Sequence, residues 1–262
     1  MNIPQKRLLP ALDKTATKYS HGKVAILAGS AKYPGAAVLC VGGARRGGAG
    51  YINYLTREEH PARLVLAAYP DVVPITKVAE FSGDCWVIGS GAPKLNRGFD
   101  FPESRFLVLD GEVMAIATNS NTPFTVITPH EGEAKKLGFE INGVGTKLAL
   151  ARKEAALEMA KKFHVIVVLK GNHTVIASPD GKSLVDTSGG SELATAGTGD
   201  ILAGLIGSML ACWNPENLSQ TTQVVAKAVK LHGLAGALAA KSLVPVVATD
   251  ILDALPRVGA KL

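Results

Sequence analysis

Aromatic residues are scarce, at 5% of the 262 residues. Strands favour large rings, so this shortage, with abundant alanine and glycine, points away from an all-β sandwich and towards a tightly packed α/β protein. Cysteine is rarer still. Cys40, Cys85 and Cys212 lie far apart in apolar surroundings, show no metal-ligand spacing and are too odd in number for a disulfide framework. They read as buried thiols in a reducing compartment, which favours a cytoplasmic location. No apolar run approaches the roughly 18 residues of a membrane span. The N-terminal MNIPQKRLLPALDK lacks the apolar core of a secretory signal. No long basic run or aromatic–basic interleaving suggests nucleic acid as a partner. The formal net charge of +6 is dispersed, which suits a solvated surface and also an anionic small molecule.

What is present is a chain 47% hydrophobic with short apolar runs, several of which run into glycine. KVAILAGS (23–30), YINYL (51–55), LVLAAY (64–69), CWVIGSG (85–91), FLVLDG (106–111), FTVI (124–127) and HVIVVLKG (164–171) read as buried strands. TVIASPDGKSLVDT reads as a hairpin turning at Pro179-Asp180-Gly181. Helical patterns follow Pro34-Gly35, start near Thr128-Pro129, cover 149–164, and recur at 201–212, 220–241 and 249–255. The run ILAGLIGSMLAC is apolar on every side and so should be buried. Alternating strands and helices predict an α/β protein: a three-layer α/β/α sandwich on a mostly parallel sheet. No linker or repeat divides it, so residues 1–262 are expected to form one domain. Ligands of such sheets bind beyond the carboxyl ends of the strands. Gly29-Ser30, Gly89–Gly91, Asp110, Thr128–His130, Lys170-Gly171 and ATAGTGDILAG (194–204) all fall at strand ends or a helix start.

The stretch Ala196-Gly197-Thr198-Gly199-Asp200 is open to two interpretations. Glycines at a helix start let an anion approach unpaired N–H groups, and Asp200 could take a proton from a hydroxyl. Equally, Asp200 could be a cap after a glycine turn. The spacing fits neither a P-loop nor a dinucleotide fingerprint. Lys170-Gly171-Asn172-His173-Thr174 could hold a nucleotide or merely open the hairpin. Thr128 suits a cap and Pro129 the first helical position, while His130 could donate or accept a hydrogen bond. TPHEGE lacks a second metal-binding histidine, so no protein metal site is expected. The small residues from Gly29 to Ala37 would admit a flat ligand or simply pack a helix on its strand. There is no serine-hydrolase elbow.

Taken together, LAGSAKYPGAAVL, GARRGGAGY, VIGSG, VLDG, ITPHEGEAKKLG, VVLKGNHTVIASPDG, LATAGTGDILAGLIGSMLA, LHGLAGALAA and ATDILDALPRV resemble the NAD(P)H-hydrate dehydratase family from about residue 23 to 257. The resemblance implies a ribokinase-like fold and a nucleotide-dependent hydro-lyase. It would restore NAD(P)H from (S)-NAD(P)H-hydrate by phosphorylating the ring hydroxyl and eliminating phosphate. It implies Asp200 as base, an anion hole at Gly197, Thr198 and Gly199, and an adenine-nucleotide site at Lys170, Gly171, Asn172, His173, Thr174 and Gly199. Ala37, Gly91, His130 and Asp200 would meet the hydrated nicotinamide. Mg2+ would accompany ADP or ATP, ADP being favoured. Homo-oligomers such as tetramers, and a functional link to a separate epimerase rather than a fused one, are also implied. The chain departs from the family pattern at Ser90, Gly111, Gly190 and Ala196. A vitamin-precursor or sugar kinase of the same fold, or a non-catalytic nucleotide sensor, is the alternative.

Overall fold

Nine strands form one sheet in the computed structural model, which describes residues 7–10, 14–95, 98–242 and 244–259. The strands are β1 (Lys23–Leu27), β2 (Tyr51–Leu55), β3 (Val73–Ile75), β4 (Cys85–Ile88), β5 (Phe106–Leu109), β6 (Phe124–Ile127), β7 (Ile166–Leu169), β8 (Thr174–Ala177) and β9 (Ser183–Asp186). Their order is β3-β2-β1-β4-β5-β6-β7-β8-β9. All pairs from β3 to β7 are parallel, and β7-β8-β9 closes antiparallel. The helices are α1 (Pro34–Arg46), α2 (Glu59–Ala68), α3 (Glu131–Lys136), α4 (Gly145–Phe163), α5 (Thr198–Trp213), α6 (Leu218–Ala239) and α7 (Ala248–Gly259).

The strands read as unbroken apolar runs because both faces are covered. Val24, Ile26, Val87, Val108 and Val168 pack with α1, α2, α5, α6 and α7. Their neighbours Ala25, Leu27, Ile88, Leu109 and Leu169 pack with α3, α4 and the 3₁₀ segment Gly111–Asn119. This is the expected three-layer sandwich. The β8–β9 hairpin also turns where expected, with Gly181 at φ +86°.

Two expectations fail. LVLAAY is not a strand: it lies in α2 and in the cap beyond it, and the edge strand comes later, at Val73–Ile75. Pro61, Ala62 and Val65 share the buried face, whereas Leu64 is exposed. A short apolar run carries too little periodicity to separate a strand from one helical face. Thr128 does not cap α3 either. His130 does, accepting from Glu133 N at 3.2 Å while Glu133 accepts from His130 N at 2.8 Å.

α5 is buried almost all round, from Ile201 to Ala211. Its approach to α1 depends on missing side chains. A Cβ on Gly204 would stand 1.9 Å from the Cys40 carbonyl oxygen, and one on Gly43 would stand 2.1 Å from that of Ile201. Backbone lies on the other side in both cases, so no side chain can step aside. Gly204→Ala should therefore destabilise by about 1–3 kcal/mol through overpacking, outweighing the roughly 1 kcal/mol gained in helix propensity. Thermal unfolding should show a lower Tm; an unchanged or higher Tm would contradict this packing account.

Candidate active site

β5, β6 and β7 end side by side, and the residues just beyond them converge. Lys170 N donates to Pro129 O at 2.7 Å, which carries the parallel pairing one step past the strands. Lys170 Nζ thereby reaches Asp110 Oδ1 at 2.9 Å and stands 3.7 Å from Glu133 Oε2. Thr128 Oγ1 donates to Asp110 Oδ1 at 2.7 Å and Ser90 Oγ to Asp110 Oδ2 at 2.9 Å. Burial would push the Asp110 carboxyl up, but Lys170 and these hydroxyls outweigh it and hold it below the usual value. Burial likewise works against the Lys170 ammonium, and Asp110 with Glu133 more than restores it. Both groups stay charged.

Above this pair lies the start of α5. Gly197 is its N-cap at φ +95°, a conformation that favours glycine, and a Cβ there would meet Leu39 Cδ1 at 2.3 Å. Among the described residues no side chain caps the helix, which leaves its first-turn amides without a partner there. The Thr198 hydroxyl faces back into the loop, donating towards Leu193 O at 3.0 Å and Thr195 O at 3.2 Å. Thr198 can thus serve an anion through its amide alone. Asp200 is not a cap: it sits on the first turn, and its carboxylate has no hydrogen bond or ion pair among the described residues. Burial first, then Asp110 and Glu133, drive its pKa up to about 7 against the opposing pull of Lys170. A carboxyl with that pKa can exchange a proton near neutrality.

Gly199 faces Lys170, whose Nζ would stand 3.1 Å from a Cβ at that position. Asn172 and His173 are exposed on the β7–β8 turn, and Thr174 Oγ1 donates to Gly171 O at 3.3 Å. Arg152, a residue without a site role in the sequence reading, holds this turn from beneath. Its Nη2 donates to the carbonyls of Leu169, Lys170 and His173 at 3.1–3.2 Å, and its Nη1 pairs with Glu131. Gly171 leaves room for this fork; a Cβ would lie 2.4 Å from Nη2. Nothing in the spacing of α4 marks Arg152 as buried. Asp110 and Glu133 were visible only as an acid after a strand and an acid in a first helical turn.

The structure brings Asp200, Gly199, Lys170 and Glu133 together, with His130 exposed beside Glu133. Gly91, at φ +61°, lies against Ala36 and Tyr33, and its carbonyl accepts from Ser30 Oγ at 2.8 Å. Ala37 is fully buried, with its methyl group against Gly29, so it shapes the strand–helix junction under the site. Two departures have local reasons. Ser90 bonds Asp110, and Gly111 adopts φ +66°.

Against known proteins, the sequence pattern of one family matches residues 24–257, nearly the whole chain; that family is described as NAD(P)H-hydrate dehydratase. The chain belongs to this family. The ADP-dependent (S)-NAD(P)H-hydrate dehydratase of Bacillus subtilis is 33% identical, with 98% of each chain covered. A crystal structure of the ADP/ATP-dependent NAD(P)H-hydrate dehydratase from B. subtilis, co-crystallized with ATP/Mg2+, superposes with a TM-score of 0.83 at 30% identity, covering 100% of this chain and 99% of that one. A ribokinase-like superfamily protein from Enterococcus faecalis shares the fold at 24% identity, with a TM-score of 0.79, covering 99% of this chain and 95% of that one. The bifunctional NAD(P)H-hydrate repair enzyme of Corynebacterium glutamicum is 35% identical over 94% of this chain but 48% of its own length. The chain spans about half the length of such bifunctional relatives. Fold and family agree with the resemblance read from the motifs.

Proposed function

We propose that this chain is a hydro-lyase that returns (S)-NAD(P)H-hydrate to NAD(P)H at the expense of ADP or ATP, with ADP favoured. The observation that carries this is the unpaired Asp200 carboxylate, with a pKa of about 7, at an uncapped helix N-terminus beside Lys170. Asp200 takes the proton of the ring hydroxyl as that oxygen attacks the terminal phosphorus of the nucleotide. The bond from that phosphorus to the bridging oxygen breaks, releasing AMP from ADP. The amides of Thr198, Gly199 and Asp200 and the Lys170 ammonium would hold the moving phosphoryl charge. The carbon–oxygen bond to phosphate then breaks, a neighbouring ring carbon loses a proton, and the double bond returns. Phosphorylation is what makes the departing oxygen a good leaving group.

Asp110, Glu133 and Asp200 surround the one ammonium of Lys170, so the site needs further positive charge before phosphates can approach. Among the described residues no cluster of acids, histidines or cysteines could hold a metal alone. Mg2+ fits as an ion carried on the nucleotide's phosphates, with Asp200 as the free carboxylate nearby, and it would offset phosphate charge. Among the described residues no helix is long and apolar enough to cross a membrane. We infer a cytoplasmic enzyme that is functionally linked to an NAD(P)H-hydrate epimerase activity, as the bifunctional relatives suggest. We also infer a homo-oligomer, supported by the exposed Leu184 and Val185 on the edge strand β9 and checked by light scattering.

The deciding assay incubates the protein with (S)-NADH-hydrate, ADP or ATP, and Mg2+. Return of the reduced-nicotinamide absorbance, with phosphate released, is expected. A stable phosphorylated alcohol would identify a kinase instead, and binding without turnover a sensor.

A further inference from the structure

Of the stretches shared with the family, LHGLAGALAA lends no residue to the chemistry above. Its histidine, His232, lies on α6 and is buried. α6 presses closely on the loop that leads into α5. A Cβ on Gly233 would stand 2.3 Å from Ser188 Oγ, and one on Gly236 would stand 2.5 Å from Leu193 Cδ2. This close packing fixes where the His232 ring can lie. One ring nitrogen is hydrogen-bonded to the backbone carbonyl of Thr198. The other, Nε2, is buried with no partner among the described residues. The bonded nitrogen is therefore Nδ1, and it carries the ring proton, because a carbonyl can only accept. Burial first, against the pull of the Thr198 carbonyl and with a smaller push from Lys170, lowers the His232 pKa to about 4. The ring is thus neutral wherever Asp200 can exchange its proton.

We propose that His232 is a positioning residue, which holds the Thr198–Gly199 peptide so that the Gly199 N–H faces the phosphoryl group in transfer. The inference rests on the dehydratase function above. A trans peptide unit is planar, with its C=O and N–H pointing in opposite directions. Gripping the Thr198 carbonyl from α6 therefore aims the Gly199 N–H the other way. Gly199 lies on the site, since a Cβ there would stand 3.1 Å from Lys170 Nζ. Thr198 is also held through its own hydroxyl, which donates to Leu193 O and Thr195 O. Donation to the carbonyl polarises the amide and makes its N–H a stronger donor. A neutral ring does this without adding charge, so the balance between Asp200 and Lys170 is left alone. Packing does not explain the residue. Nε2 is a buried acceptor left unpaired, which costs the fold stability, and an apolar side chain of similar size avoids that cost.

The test compares wild type with His232→Leu and His232→Asn in turnover of (S)-NADH-hydrate with ADP, in ADP binding and in Tm. Leucine fills a similar volume without a donor. Asparagine places an amide N–H where Nδ1 stands. Deleting an anion-hole donor costs about 10²–10³-fold in kcat, and misaiming one costs less, so His232→Leu should lower kcat about tenfold. KM for the hydrate and the ADP dissociation constant should stay within about twofold, because the contact matters to the moving charge rather than to bound reactants. Its Tm should be no lower than that of wild type. His232→Asn should recover most of the lost kcat. In both variants kcat/KM should still rise with pH through about 7, since no charge near Asp200 has been removed. Full kcat in the leucine variant, an asparagine variant as slow as the leucine one, or a kcat loss matched by a lower Tm would overturn the positioning role alone. A wild-type protein that restores no NADH would overturn the dehydratase function itself, and the role of His232 with it.

Discussion

Asp200→Asn should lower turnover by about 10³-fold or more while leaving ADP and ATP binding close to wild type. Removing a general base costs typically 10²–10⁴-fold, and the same atom here also fixes the protonation state in which the hydroxyl can attack. The substitution is nearly isosteric, keeps the first-turn amides in place and breaks no hydrogen bond or ion pair among the described residues. Its effect on stability separates a catalyst from a structural acid. The folded state raises the Asp200 pKa to about 7, so folding disfavours its ionised form. For an acid with a raised pKa, stability falls as pH climbs from the unfolded value near 4 through about 7. The asparagine variant escapes that loss, so its Tm relative to wild type should be higher at about pH 8 than at about pH 5. Wild-type kcat/KM should rise with pH through about 7 as Asp200 ionises. Near-normal turnover in the variant, or a lower Tm at the higher pH, would remove Asp200 from the role of base.

Lys170→Met should both abolish activity and destabilise the fold by about 3–5 kcal/mol, because it leaves Asp110 charged and buried without its partner. At roughly 2–4 °C per kcal/mol for a chain of this size, Tm should fall by about 10 °C or more. The hydroxyls of Thr128 and Ser90 remain, but they cannot replace a full positive charge. Adding Asp110→Asn to the lysine variant should restore much of the stability and none of the activity. The pH dependence of the intact pair follows from its shifts. Asp110, held low, contributes above the unfolded value near 3.8, and that contribution is lost as pH falls through its folded pKa. Lys170, held high, contributes below about 10.5, and its contribution is lost as pH rises through its folded pKa. A Tm for Lys170→Met within a degree or two of wild type would show that the pair is dispensable to the fold.

Most of the architecture was legible because it rests on local pattern. Short apolar runs, four of them running into glycine, gave six of the seven parallel strands, and a Pro-Asp-Gly turn gave the closing hairpin. The exception, LVLAAY, shows where pattern runs out. Its six residues could line a strand or one side of a helix, and only the contacts of Ala62 and Val65 with the sheet decide between them. The α3 cap was misplaced for a related reason. Thr128 is a good capping residue by type, but its hydroxyl is drawn to Asp110, a partner 18 positions away in the chain, and His130 caps instead.

By itself the sequence determined the sandwich, the family, and which segments lie at strand ends, because periodicity, glycine placement and motif spacing are local properties of the chain. Only the tertiary structure decided what the acids do. Asp110, Glu133 and Asp200 come from three distant segments, and Arg152 from a fourth, so no spacing reveals that three carboxylates face one ammonium. Asp110 is committed to Lys170 and two hydroxyls, whereas Asp200 is left unpaired with its proton held to about pH 7. Burial and neighbouring charge set that difference, and both exist only once the strand ends and the start of α5 have been brought together.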